Sequence, residues 1–192
     1  MPRKSASKDR KEARPPASIP RKEARVLVRA SAAMTACFLS GAMTGISAIT
    51  VPVLLDTTAH PAQLLSQWSR LYHYGHIMMP SVAVATTGLF ALLALRSKQR
   101  QFQLVYAVAG AATIGIVPFT LLFMVATNDA LFRLEKLALA AQVGADVASQ
   151  AVDLIFAREL VVKWARLHAI RSLFPLLGGI LGMVGLVQEL RQ

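Results

Sequence analysis

Four long stretches of the chain carry no charged side chain: between Arg29 and Asp56, Arg70 and Arg96, Arg100 and Asp129, and Arg171 and Glu189. A helix needs roughly 20 apolar residues to cross about 30 Å of hydrocarbon, so each interval can hold one crossing. The last is the shortest and needs its flanking residues to help. The pattern predicts an all-α protein, a transmembrane four-helix bundle with spans near 27–55, 71–95, 102–126 and 171–188. The first should bend near Pro52, and Pro118 lies near the far end of the third. Residues 128–170 mix polar and apolar positions, which predicts an amphipathic helical excursion between helices three and four, broken around Gly144. The other connections are short, so the helices should run up and down as antiparallel neighbours.

Composition supports this reading. The chain is 55% hydrophobic, against about 45–50% in soluble domains, and its mean hydropathy is +0.49. Its net charge of +11 is concentrated at one end: nine of the 21 Lys and Arg lie in residues 1–25, interrupted by Pro15, Pro16 and Pro20. Such a segment predicts a disordered basic tail ahead of a transmembrane domain over 26–192. It reads as a cytosolic topology signal able to touch anionic lipid, not as a nucleic-acid binder. Its charged part and the first apolar run are both too long for a signal peptide, and Asp9, Glu12 and Glu23 argue against a mitochondrial transit peptide. The one cysteine, Cys37, excludes an intrachain disulfide and CxxC chemistry.

Lys and Arg in the short loops set the orientation. The tail and the 96–100 loop are basic, whereas the 128–170 excursion has five basic and five acidic residues. Both termini and the middle loop are therefore expected in the cytosol, in an endomembrane of the ER type if the cell is eukaryotic. Gly41 with Gly45, Ala111 with Gly115, and Gly178 with Gly182 are each four apart, a spacing that lets helices approach closely in lipid.

An up-down bundle brings the unusual residues to one end. Pro52 and Asp56 close the first span, Trp68, Tyr72 and His76 open the second, and Pro118, Thr120 and Asn128 close the third. Trp164, His168 and Arg171 lead into the fourth. Trp68, Tyr72 and His76 share one helical stripe, as do Trp164, His168 and Arg171; His73 and Tyr74 point elsewhere. Taken alone, the Trp and Tyr residues are better accounted for by interfacial belts, and a turn cap accounts for Asp56 and snorkelling for Arg171. His76 and His168 are harder to dismiss, because ionisable residues facing a bundle at a span's edge are functional candidates. His60 is assigned no role. HExxH and ExxH pairs are absent, and so is a cysteine cluster, which leaves metal binding with little support. Two histidines on facing helices could still hold a haem axially.

The stretch from Gly45 through Pro52 to Asp56, then Trp68-Ser-Arg-Leu-Tyr72-His-Tyr-Gly75-His76, resembles a family of small membrane proteins that includes the fungal anthrone oxygenases. The same holds for Pro118-Phe-Thr120, for Asn128-Asp-Ala-Leu131, and for Trp164-Ala-Arg-Leu-His168-Ala-Ile-Arg171. The likeness covers nearly everything after residue 30. Asp129 stands where a second Asn commonly follows, and His168 where many members, bacterial ones especially, carry Asn. A role for His168 is then confined to the anthrone-oxidising branch.

The resemblance implies oxidation of an anthrone-like polyketide to an anthraquinone by O2, with no metal or flavin cofactor. His76 is then the expected base and His168 its competitor, with Tyr72 beside them. Asn128 and Arg171 would hold the substrate oxygens, Trp68, Trp164 and Tyr72 would sandwich the rings, and Thr120 and Asp56 complete the expected binding set. The expected partners are a small aromatic substrate and the lipid bilayer; oligomeric state is not specified. A haem-carrying electron-transfer bundle, a non-catalytic transporter or scaffold, and an oxygenase of another electron-rich phenol are the competing readings.

Overall fold

A computed structural model describes residues 21–142 and 153–191. Lipid offers the backbone no hydrogen bonds, so the uncharged runs satisfy themselves as helices. Among the described residues four helices are long and apolar enough to cross a membrane: α1 (Glu23–Thr57), α2 (Pro61–Arg96), α3 (Arg100–Gln142) and α4 (Leu154–Leu190). Helical backbone already begins at Arg21, so the last residues of the expected 1–25 tail are helical. Residues 1–20 and Gly144 lie outside the described residues.

Two three-residue links make tight antiparallel pairs. Pro61 starts α2, where its missing N–H costs nothing. Arg158 of α4 donates to the carbonyls of Leu55, at 3.0 Å, and Thr58, at 3.1 Å, covering the open end of α1. Between α2 and α3, Ser97 returns both its N–H and its hydroxyl to the Leu93 carbonyl. Asp153 caps α4 by accepting from the Ile155 N–H at 2.9 Å.

Around the bundle α1 packs on α2, α2 on α3, α3 on α4 and α4 back on α1. The glycines of α4 permit this closeness. A methyl group at Gly182 would lie 2.7 Å from Phe90 of α2, and one at Gly185 would lie 3.0 Å from Tyr106 of α3. Gly178 likewise abuts Thr113 and Ala109, and Gly115 abuts Phe174. The pair Gly41 and Gly45 differs from expectation: nothing lies within 4 Å of a Cβ at either. The inward face of α1 is instead Ala32, Ala33, Ala36, Leu39 and Met43, which turns Gly41 outward.

The described parts of the expected excursion are helical and belong to the two long helices themselves. Residues 128–142 continue α3 and residues 154–170 open α4. The 43 residues of α3 make a rod about 65 Å long, twice the hydrocarbon thickness. Asp129, Arg133, Glu135, Arg158, Glu159 and Lys163 all sit on these extensions. A core of Leu64, Leu65, Trp68, Leu131, Val161 and Trp164 fills the space between them.

Candidate active site

Each helix carries a proline within the bundle: Pro52, Pro80, Pro118 and Pro175. Proline removes one ladder N–H and crowds the turn before it. Beside two of them the backbone widens into a π turn, Ile46–Thr50 ahead of Pro52 and Thr120–Met124 after Pro118. Such turns insert one residue and recur at functional sites. Both offer a hydroxyl to α4. Ser47 Oγ lies 3.0 Å from His168 Nδ1, and Arg171 Nη1 donates to Thr120 Oγ1 at 2.8 Å. Thr120 passes its own proton to the Ile116 carbonyl at 2.7 Å. One turn further in, Ser172 Oγ and Thr44 Oγ1 are 3.0 Å apart.

The aromatic residues form a continuous stack across α2 and α4. Trp68 meets Trp164 edge-on, with centroids 5.9 Å apart, and is tilted against Tyr72 at 5.5 Å. Tyr72 stacks on His76 at 5.4 Å, and Trp164 on His168 at 4.7 Å. Phe132 of α3 closes the group edge-on against Trp68, at 5.0 Å, and Tyr72, at 5.1 Å. The i,i+4 stripes read from the sequence therefore face each other.

Above this stack is a cavity of about 240 Å³, near the lower limit of about 300 Å³ usual for small-molecule sites. Tyr72, His76, Thr120, Asn128, Trp164, His168 and Arg171 line it, with Ile46, Met124 and Pro80 as apolar wall. The mouth lies between α2 and α3, where His76, Val117 and Leu121 are exposed. Those residues belong to uncharged intervals, so the opening faces lipid. His168, by contrast, is 2% exposed.

Hydrogen bonding decides one tautomer. His76 Nδ1 is 3.2 Å from the Tyr72 carbonyl, which can only accept, so Nδ1 carries a proton and in the neutral ring the lone pair is on Nε2. The hydroxyl of Ser47 can donate or accept, so it leaves the His168 tautomer open. Arg171 Nε, Asn128 Oδ1 and Trp164 Nε1 are buried without a partner among the described residues, and all three residues line the cavity. Unpaired buried polar atoms are uncommon and mark places where a ligand completes the bonding. Arg171 also has no carboxylate within ion-pair distance among the described residues.

Two expected site residues stand apart. Trp68 is fully buried behind Tyr72 and Trp164 and does not line the cavity. Asp56 is exposed near the end of α1, away from the lining. His73 and Tyr74 are exposed and outside the lining too, as their phase on α2 requires. Ser47 and Phe132 do not line the cavity but support residues that do, Ser47 through His168 and Phe132 through Tyr72. Sequence reasoning passed over both, since a serine in an apolar run reads as packing and Phe132 as part of the excursion. Among the described residues no group of three or more His, Cys, Asp or Glu is placed to hold a metal ion.

The family model for anthrone oxygenase matches residues 68–181, from Trp68 to just beyond the last lining residue, Arg171. The chain belongs to the anthrone oxygenase family. Relatives agree over most of their length. Anthrone oxygenase dmxR16 of Cryptosporiopsis sp. is 46% identical over 86% of this chain and 91% of its own. Anthrone oxygenase AgnL2 of Paecilomyces divaricatus is 48% identical over 82% and 93%. Monooxygenase hypC of Dothistroma septosporum is 39% identical over 79% and 78%. No solved structure matches the chain. Among the expectations drawn from sequence, the anthrone oxygenase family, an enzyme of the monooxygenase class and a four-helix multi-pass membrane protein are all met.

Proposed function

We propose that this anthrone oxygenase family member oxidises an anthrone-like polyketide to the anthraquinone in the α2–α3–α4 cavity, using O2 and no further cofactor. The observation that carries the reading is Arg171, a cation at the cavity wall with an unpaired buried Nε and no carboxylate partner among the described residues. A buried cation without a counter-charge favours an anionic ligand, and a deprotonated anthrone is one.

His76 Nε2 takes a proton from the benzylic carbon. The negative charge spreads to the ring oxygen, where Arg171 stabilises it, and Asn128 accepts from a neighbouring phenol. Trp164 and Tyr72 hold the flat rings. The anion gives one electron to O2, and the radical pair joins at the same carbon as a peroxide, protonated by His76. Loss of the second C–H proton expels water and leaves the ketone. Turning CH2 into C=O releases four electrons, and O2 takes four in becoming the ketone oxygen and water. The substrate thus supplies every electron, and no external reductant is required. His168, held between Trp164 and Ser47, is the alternative base. We also propose that the termini are cytosolic and the site lies at the far membrane face, on the strength of the basic tail and 96–100 loop.

Oxygen uptake by detergent-purified, chelator-treated protein given an anthrone tests this. Uptake well above the spontaneous background, with quinone formed, is expected. Background uptake by folded protein, restored on adding metal or haem, would overturn the cofactor-free reading.

A further inference from the structure

At the end of the bundle opposite the active site, four cations from two helices and the turn after them converge on one cleft. It has a volume of about 600 Å³ and lies between the start of α1 and the α2–α3 turn. Arg25 and Arg29 line it from α1, Arg96 from the end of α2, and Lys98 from the turn. Val28, Leu93 and Phe102 form its apolar floor. Among the described residues Glu189 is the single carboxylate in the lining, and it is already engaged. Arg29 Nη2 pairs with its Oε1, and the Tyr106 hydroxyl donates to its Oε2 at 3.2 Å.

This leaves Arg25, Arg96 and Lys98 without a carboxylate partner among the described residues. Arg29 Nε is also buried with no partner among the described residues. A topology signal requires only a number of basic residues in a short loop, not their convergence on a cavity. Basic pockets between membrane helices at the headgroup level suit anionic lipid. We propose that this cleft binds the phosphate of an anionic phospholipid, with the first carbons of the acyl chains on Val28, Leu93 and Phe102. Bound there, the lipid would bridge α1 to the α2–α3 turn.

The test uses full-length protein in detergent, stripped of lipid, with thermal unfolding followed in the presence of phosphatidic acid, phosphatidylcholine or inorganic phosphate. Binding to the folded state raises Tm, and phosphatidic acid should give a rise of about 5 °C that phosphatidylcholine does not. The triple variant Arg25→Gln, Arg96→Gln, Lys98→Gln should lose most of that rise. A second variant, with Arg3, Lys4, Lys8, Arg10, Lys11 and Arg14 all changed to Gln, should keep it. The proposal is overturned if the triple variant keeps the full rise, if only the second variant loses it, or if inorganic phosphate alone reproduces it. Should the triple variant fail to fold, Lys98→Glu on the exposed turn replaces it: a rise cut at least by half supports the cleft, and an unchanged rise overturns it.

Discussion

Ser47 Oγ of α1 stands 3.0 Å from Nδ1 of His168 on α4, and 3.5 Å from the carbonyl of Met43. Whichever of Ser47 and His168 donates, the hydroxyl is the side-chain partner of a buried ring nitrogen. Removing the hydroxyl strands a buried ring nitrogen, a loss of about 1–3 kcal/mol. Ser47→Ala should therefore lower Tm and cut turnover by about tenfold, from misorientation of His168 on the scale of one lost hydrogen bond. Ser47→Thr keeps the hydroxyl and should restore both. Normal turnover in a destabilised Ser47→Ala protein would reduce the contact to packing.

The two histidines should separate in kinetics. His76 has its Nε2 free at the cavity mouth, so His76→Ala removes the base and should cost about 10²–10⁴ in kcat. His168→Ala should cost less in kcat and more in Tm, because it empties a buried position against Trp164. The reverse order of effects, measured by oxygen uptake and thermal unfolding, would move the base to His168.

Arg171 should tolerate little change. Arg171→Gln removes the charge that meets the anion and should lower kcat/KM by about 10²-fold, typical of one lost oxyanion partner. Arg171→Lys keeps the charge but not the planar fork, so an intermediate value is expected. Thr120→Val removes the hydroxyl that orients the guanidinium and should show a milder loss. Equal activity in Arg171→Gln would show that the oxyanion is stabilised elsewhere.

Glycine spacing yields a paired prediction on stability. Gly182→Val crowds Phe90, where even a methyl group would lie at 2.7 Å, and should cost about 1–3 kcal/mol. Gly41→Ala meets nothing within 4 Å and gains helix propensity, so Tm should hold or rise slightly. Thermal unfolding of the two proteins side by side checks both.

Much of this fold was legible because the bilayer imposes a simple rule on charge. The intervals bounded by Arg29, Asp56, Arg70, Arg96, Arg100, Asp129, Arg171 and Glu189 mark the four helices almost unaided. The facing Trp and His stripes were legible too, since α2 and the lower part of α4 keep regular phase through them. Ser47 was hidden for a physical reason. It follows Leu39 and Met43 at regular i,i+4 spacing, but a serine in an apolar run reads as packing, and only the approach of His168 from another helix gives it a side-chain partner. Asp56 lies near a helix end beside the site in sequence, but end position alone does not aim a side chain inward, and the residue is exposed away from the cavity.

The cavity mouth between α2 and α3 has a kinetic corollary. An opening that faces acyl chains samples solute dissolved in the membrane, not in the buffer. A greasy tricyclic molecule partitions strongly there, so its local activity is set by how much bilayer it is diluted into. Apparent KM would then scale with the lipid-to-protein ratio at fixed total substrate, and adding empty vesicles would slow the enzyme as effectively as withdrawing substrate.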